Sequence, residues 1–242
     1  MLQSVKVAFG RYMGHFYESL SPTTKGMQGF VNRGLSKSIV WAPARMVDAV
    51  EEMLASWQRN DTDDAPTQPA ELPVIIAAMA KDYTPSGRDY TRQITADDGA
   101  WVIIPEDVKE RAFDVKLIAG DIRTQVAIFA HDEPTAKSLA SQLLLFIDAP
   151  SNRRFLAKYE FAGLEMDWPV QIESPDPMAQ NIDIGTKNMT VLAIDIMLKV
   201  SIPIFGAPKE GQPNDGKGIP GDSVDPAGHP VVVQVNNKRE DI

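Results

Sequence analysis

Residues 122–150 read IRTQVAIFAHDEPTAKSLASQLLLFIDAP, and they decide the fold. The first nine are β-prone and stop at His131-Asp132-Glu133-Pro134. Asp132 is suited to cap a helix, Pro134 fits a first turn that needs no backbone donor, and Glu133 favours the positive end of the helix dipole. The helix then carries Leu139, Leu143, Phe146 and Ile147 on one stripe. Leu144 and Leu145 widen it, which predicts burial over much of the circumference.

Downstream, residues 191–200 (VLAIDIMLKV) alternate. Leu192, Ile194, Ile196, Leu198 and Val200 fall on one face of a strand, and Val191, Ala193, Asp195, Met197 and Lys199 on the other. The first face is predicted to be core; the mixed one meets water or a neighbour. Upstream, residues 74–80, 101–104 and 113–119 read as strands, and Gly120-Asp121 as a turn between antiparallel neighbours. Met46, Val47, Val50, Met53, Leu54 and Trp57 recur at helical spacing, and an acidic, proline-containing linker follows.

The fold class is therefore α+β: a mostly antiparallel sheet packed by one or two helices, with an extended N-terminal arm and a C-terminal tail. The segments are an arm (1–44), a helix and linker (45–72), a core (73–208) and a flexible tail (209–242). Glycines scattered among Phe9, Tyr12, Phe16, Tyr17, Phe30 and Trp41 suggest an arm that packs on something else. The alternative is an irregular part of the same core. In the Gly- and Pro-rich end, Val231, Val232, Val233 and Val235 form a β-prone patch suited to joining another subunit's sheet edge, or its own.

Composition narrows the function. The 242 residues are 43% hydrophobic, enough for a normal core, and carry a net charge of −9, which argues against a dedicated nucleic-acid binder. No cysteine is present, which removes disulfides and thiolate chemistry. The first residues lack a signal-peptide pattern and no run suits a membrane helix, so a cytosolic product without membrane attachment is expected. Residues 211–217 (GQPNDGK) imitate a phosphate-binding loop, but Gly218 replaces the required hydroxyl and no helix is expected to follow. His15, His131 and His229 are dispersed, Asp61, Asp63 and Asp64 lack the rest of a calcium loop, and there is no Gly-x-Ser-x-Gly elbow. No catalytic residue, metal ligand or cofactor is assigned.

Residues 122–147, then MDWPVQIESPD (166–176) and LAIDIMLKVSIPIFGAP (192–208), resemble the tail sheath stabiliser and completion (tail terminator) proteins of contractile-tailed bacteriophages. PVIIAAMAKDYTPSGRDY (73–90) resembles their earlier strand and loop, and FGRYMGHFY (9–17) their aromatic N-terminus. The resemblance implies a homohexameric ring in the virion, at the head-proximal end of the tail. Its partners would be the tail tube protein, the tail sheath protein and the head–tail connector or neck proteins, with genomic DNA passing through without specific binding. The expected interface residues are Tyr12, Phe16, Tyr17, Asp195, Met197, Lys199 and the valines 231, 232, 233 and 235. The alternatives are another neck or baseplate component, a bacterial injection-system cap, and an enzyme whose site is built from unrelated loops.

Overall fold

The computed structural model describes residues 2–42, 71–80, 84–85, 101–174, 176–182 and 189–231. Of the helix and linker expected over 45–72, residues 45–70 lie outside them, with the acidic run at Asp61, as do Val232, Val233 and Val235. Four α-helices are described: α1 (Leu2–Ser19), α2 (Lys25–Asn32), the single turn α3 (Leu35–Ser38) and α4 (Glu133–Asp148). The strands are β1 (Ile39–Trp41), β2 (Val74–Met79), β3 (Thr84–Pro85), β4 (Trp101–Ile103), β5 (Ala112–Ala130), β6 (Arg154–Phe161), β7 (Leu164–Ile172), β8 (Ala179–Ile182) and β9 (Thr190–Gly206). Their order is β1-β2-β5-β9-β7-β6, with β3 and β4 against β5 and β8 against β9. β1 runs parallel to β2, whereas β2, β3 and β4 are antiparallel to β5, and β7 and β8 to β9. This is an α+β fold with a mostly antiparallel sheet.

Two compact units are distinguished, one of Met1–Ser86, Gly120–Ala157 and Pro169–Val200, the other of Gly87–Ala119, Lys158–Trp168 and Ser201–Ile242. In the first unit β2 is apolar on both faces and buried on both, as a strand without alternation must be. Val74, Ile76 and Ala78 pack with Ala127, Phe129 and Val191. The aliphatic face expected on β9 is buried from Leu192 to Val200, with Ile194, Ile196, Leu198 and Val200 fully enclosed.

Gly120-Asp121 is not a turn. β5 runs straight through it, because its two halves have separate partners: β4 pairs with Ala112, Phe113 and Asp114, and β2 with 124–129. Gly120 and Asp121 sit opposite Pro85 and Thr84.

α4 begins as expected. The Asp132 carboxylate accepts from the Thr135 amide at 2.8 Å, and Pro134 occupies the first turn. Its buried stripe is narrower than expected, for Leu145 is 73% exposed.

Residues 1–44 are not an irregular arm within the described part. Val5, Ala8, Phe9, Tyr12, Met13 and Phe16 repeat at helical spacing and are all buried on α1. Tyr12 and Phe16 meet Phe146 of α4 at ring distances of 5.2 and 5.7 Å, and Tyr12 meets Phe155 of β6 at 5.1 Å. A polar seam completes the docking: Gln142 of α4 exchanges hydrogen bonds with the Ser21 backbone at 2.8 and 2.9 Å, and the Thr24 and Thr135 hydroxyls are 2.8 Å apart. Gly26 permits this approach, since a Cβ there would lie 2.9 Å from Thr135 Oγ1.

Because Ile196 is fully enclosed, Ile196→Ala is expected to lose about 3 kcal/mol through lost burial and a cavity. Leu145→Ala is expected to change stability by no more than about 0.5 kcal/mol. Urea unfolding of the two variants measures the contrast.

Candidate assembly surface

The second unit is organised by a buried charge pair. After Ile104 the chain turns, with Asp107 N donating to Ile104 O at 3.0 Å and Glu110 N to Asp107 O at 2.8 Å. That turn brings Arg111 back onto Asp107, whose carboxylate accepts from Arg111 Nε at 2.8 Å, Arg111 Nη2 at 3.0 Å and the amides of Lys109 and Arg111. Arg111 Nη1 donates to Asp225 Oδ1 and to the Pro226 carbonyl, each at 2.7 Å. The Arg111 and Asp107 side chains are only 4% and 3% exposed. A charge pair so enclosed is tolerated because the guanidinium fork and the carboxylate satisfy each other at several atoms.

Burial opposes ionisation of Asp107, but the hydrogen bonds from the Arg111 side chain and from the Arg111 and Lys109 amides hold its carboxyl down at about 2. The hydrogen bond to Asp107 raises Arg111 above its ordinary value, against the effect of burial. Asp225 is lowered, first by its hydrogen bond from Lys109, whose Nζ lies 2.5 Å from Oδ2.

This pair explains why the end of the chain does not behave as a flexible tail from residue 209. As far as Val231 it is folded. Ile219 N donates to Asp225 O at 2.9 Å, Asp215 N to Gly228 O at 2.9 Å and His229 N to Ala112 O at 2.8 Å. Ala227 is fully buried. Apolar area was too small to order this segment; the charges of Asp107, Arg111 and Asp225 do so instead. Gly228 is required by close approach, because a Cβ there would lie 2.8 Å from Arg111 Cβ and run into the Asp215 carboxylate. Residues 211–217 do not form a phosphate cradle. The Gly216 and Lys217 amides donate to the Asn214 and Asp215 side chains at 2.9 and 3.0 Å.

Apolar side chains stand exposed on this framework. Trp101 and Ile103, two apart and so on one face of β4, are 44% and 53% exposed. Val108 and Val224, at 97% and 75%, immediately precede the paired Lys109 and Asp225. The Trp101 ring is braced edge-on by His229 at 4.4 Å. Such side chains on loops fixed by charge pairs can bury area against a partner with little ordering cost.

The expected interface residues are distributed otherwise. Tyr12 and Phe16 are interior, and Tyr17 is half-buried with its hydroxyl donating to Val31 O at 2.6 Å. Tyr12 and Phe16 belong to the core of the first unit, and Tyr17 lies at its edge. On β9, Asp195 pairs with Arg123 at 2.9 Å, Lys199 lies 3.8 Å from Glu173, and the amide of half-buried Met197 donates to the Ser174 hydroxyl oxygen. Val231 is exposed. The Arg111 network was not anticipated; only the Asp107-to-Arg111 spacing hinted at it, and Asp225 is remote in sequence.

The first unit also carries an open groove of roughly 680 Å³, where Lys6, Arg11 and His15 border Gly10, Leu35 and Trp41. Lys6 Nζ lies 4.8 Å from the Trp41 ring centre, within cation–π range. Among the described residues no cluster of three or more His, Asp or Glu is placed to hold a metal, and no helix is long and apolar enough to cross a membrane. The chain matches no family model and no curated protein.

A carboxyl depressed in the folded state contributes stability that is complete above its unfolded pKa and lost as pH falls through the folded one. For Asp107 that window runs from 3.8 down to about 2. Asp107→Asn is therefore expected to cost about 2 kcal/mol or more above pH 4. Urea midpoints measured against pH are expected to show the gap from the unsubstituted chain closing towards pH 2.

Proposed function

We propose that this chain is a structural ring subunit at the head-proximal end of a contractile phage tail, where it terminates the tube, stabilises the sheath and joins tail to neck. One observation carries the proposal: the order of elements from β5 through the acid-capped α4 and the β6–β7 pair to β9, which ends at Gly206 just before Pro208. That order is the pattern on which the family resemblance rests.

Two further features support it. Exposed apolar side chains on braced loops suit a protein whose work is done by contact. A net charge of −9 suits a channel through which DNA slides without sticking. In this proposal the partners are further copies of the chain, the tube and sheath proteins and the neck. A head–tail adaptor shares these features and differs by its position in the particle.

Sedimentation velocity and electron microscopy of the full chain, alone and with tail tubes, provide the test. The expected result is a hexameric ring, free or assembled on tube ends, and tails made without the chain are expected to be uncapped, over-long or headless. A monodisperse monomer that also leaves tubes uncapped overturns the proposal.

A further inference from the structure

Charge is divided unevenly along this chain. Residues 2–41 carry five basic side chains (Lys6, Arg11, Lys25, Arg33, Lys37) and one acid (Glu18), a net +4, whereas the whole chain is −9, which leaves −13 for the remainder. Arg11, Lys25 and Lys37 are exposed, and none of them, nor Lys6, has a carboxylate partner among the described residues. Lys6 and Arg11 border the groove beside Trp41 and Leu35, together with one acid, Glu18, so the groove keeps one net positive charge.

The complementary feature is the β6–β7 hairpin. Its strands end at Phe161 and start again at Leu164, and Ala162 and Gly163 both have positive φ, 55° and 73°. A two-residue turn of that kind places the residues flanking it opposite each other, which brings Glu160 against Glu165. Both are exposed, and Asp167 follows on the same face. Lys158 lies 2.6 Å from Glu165, while Glu160 has no cation within reach among the described residues. Like charges directly opposed across a strand pair destabilise it. Lys158 offsets part of this through Glu165, and Glu160 is the member of the opposed pair with no cation among the described residues.

We infer that the acidic tip of the β6–β7 hairpin, Glu160, Glu165 and Asp167, docks in a second copy's cationic groove around Lys6, Arg11 and Trp41. The contact is heterologous, joining two different surfaces, so its repetition closes a ring when the rotation per step allows. It rests on the ring proposal and names the surfaces that make it. In this contact the charges of the exposed acidic face fix register and orientation.

The test uses the full chain in sedimentation velocity at several salt concentrations. Arg11→Glu and Glu160→Lys are each expected to weaken self-association about tenfold, and the double variant to recover to within about threefold of the unsubstituted chain. Glu160→Lys is also expected to raise the melting temperature of the dissociated subunit, since it relieves the opposed pair. Arg11 is exposed and contributes to no core, so Arg11→Glu reports on docking even if the hairpin variant is altered internally. Self-association that neither substitution changes, or losses that add without rescue, overturn this contact while leaving a ring intact. A chain that never self-associates removes the ring proposal and this contact together. If Arg11→Glu abolishes binding of double-stranded DNA and leaves self-association unchanged, the groove belongs to nucleic acid and the inference falls.

Discussion

Two strands of unusual length, β5 with 19 residues and β9 with 17, constrain everything else, because each must keep one face out of water for most of its course. A typical strand is about five or six residues, so one of this length needs either several partners in turn or a continuous apolar face. β9 meets the second condition with its run from Leu192 to Val200. β5 meets the first, taking β4 at its start, β3 at Gly120 and β2 at its end. Long, inert strands hold the polar side chains able to do anything at loops, strand ends and helix faces.

The two units solve the problem of order by different physics. The first relies on apolar area: a helical layer whose aromatic stripe from Phe9 to Phe16 is pressed against Phe146 and Phe155. The second lacks that area in its Gly- and Pro-rich segment and uses directed polar contacts, with Arg111 bonded at once to Asp107, Asp225 and the Pro226 carbonyl. Charge-assisted bonds of this kind act at fixed distances and angles. They hold Val108 and Val224 beside them, which makes an exposed apolar surface compatible with a defined shape.

The parts legible from the sequence are those governed by neighbours along the chain. The Asp132 cap, Pro134 in the first turn of α4 and the aliphatic face of β9 each depend on residues a few positions apart, and each was read correctly. α1 was also legible in principle. Its apolar period from Val5 to Phe16 is regular, although Gly10 and Gly14, which lie at ordinary packing distance from Trp41 and Leu35, lower the helical propensity of the stretch. Leu145 is exposed because the width of a buried stripe depends on which neighbours the helix meets, and spacing along α4 does not carry that.

By itself, the sequence determined the α+β class, the capped helix, the buried aliphatic face and the acidic balance, since periodicity, capping chemistry and net charge are local or additive. Only the tertiary structure decided that β5 passes through Gly120, that Tyr12 and Phe16 are core, and that Asp225 returns to Arg111 across more than a hundred residues. Those outcomes depend on which distant groups compete for the same hydrogen bonds and the same apolar surface, and one-dimensional spacing carries no measure of that competition.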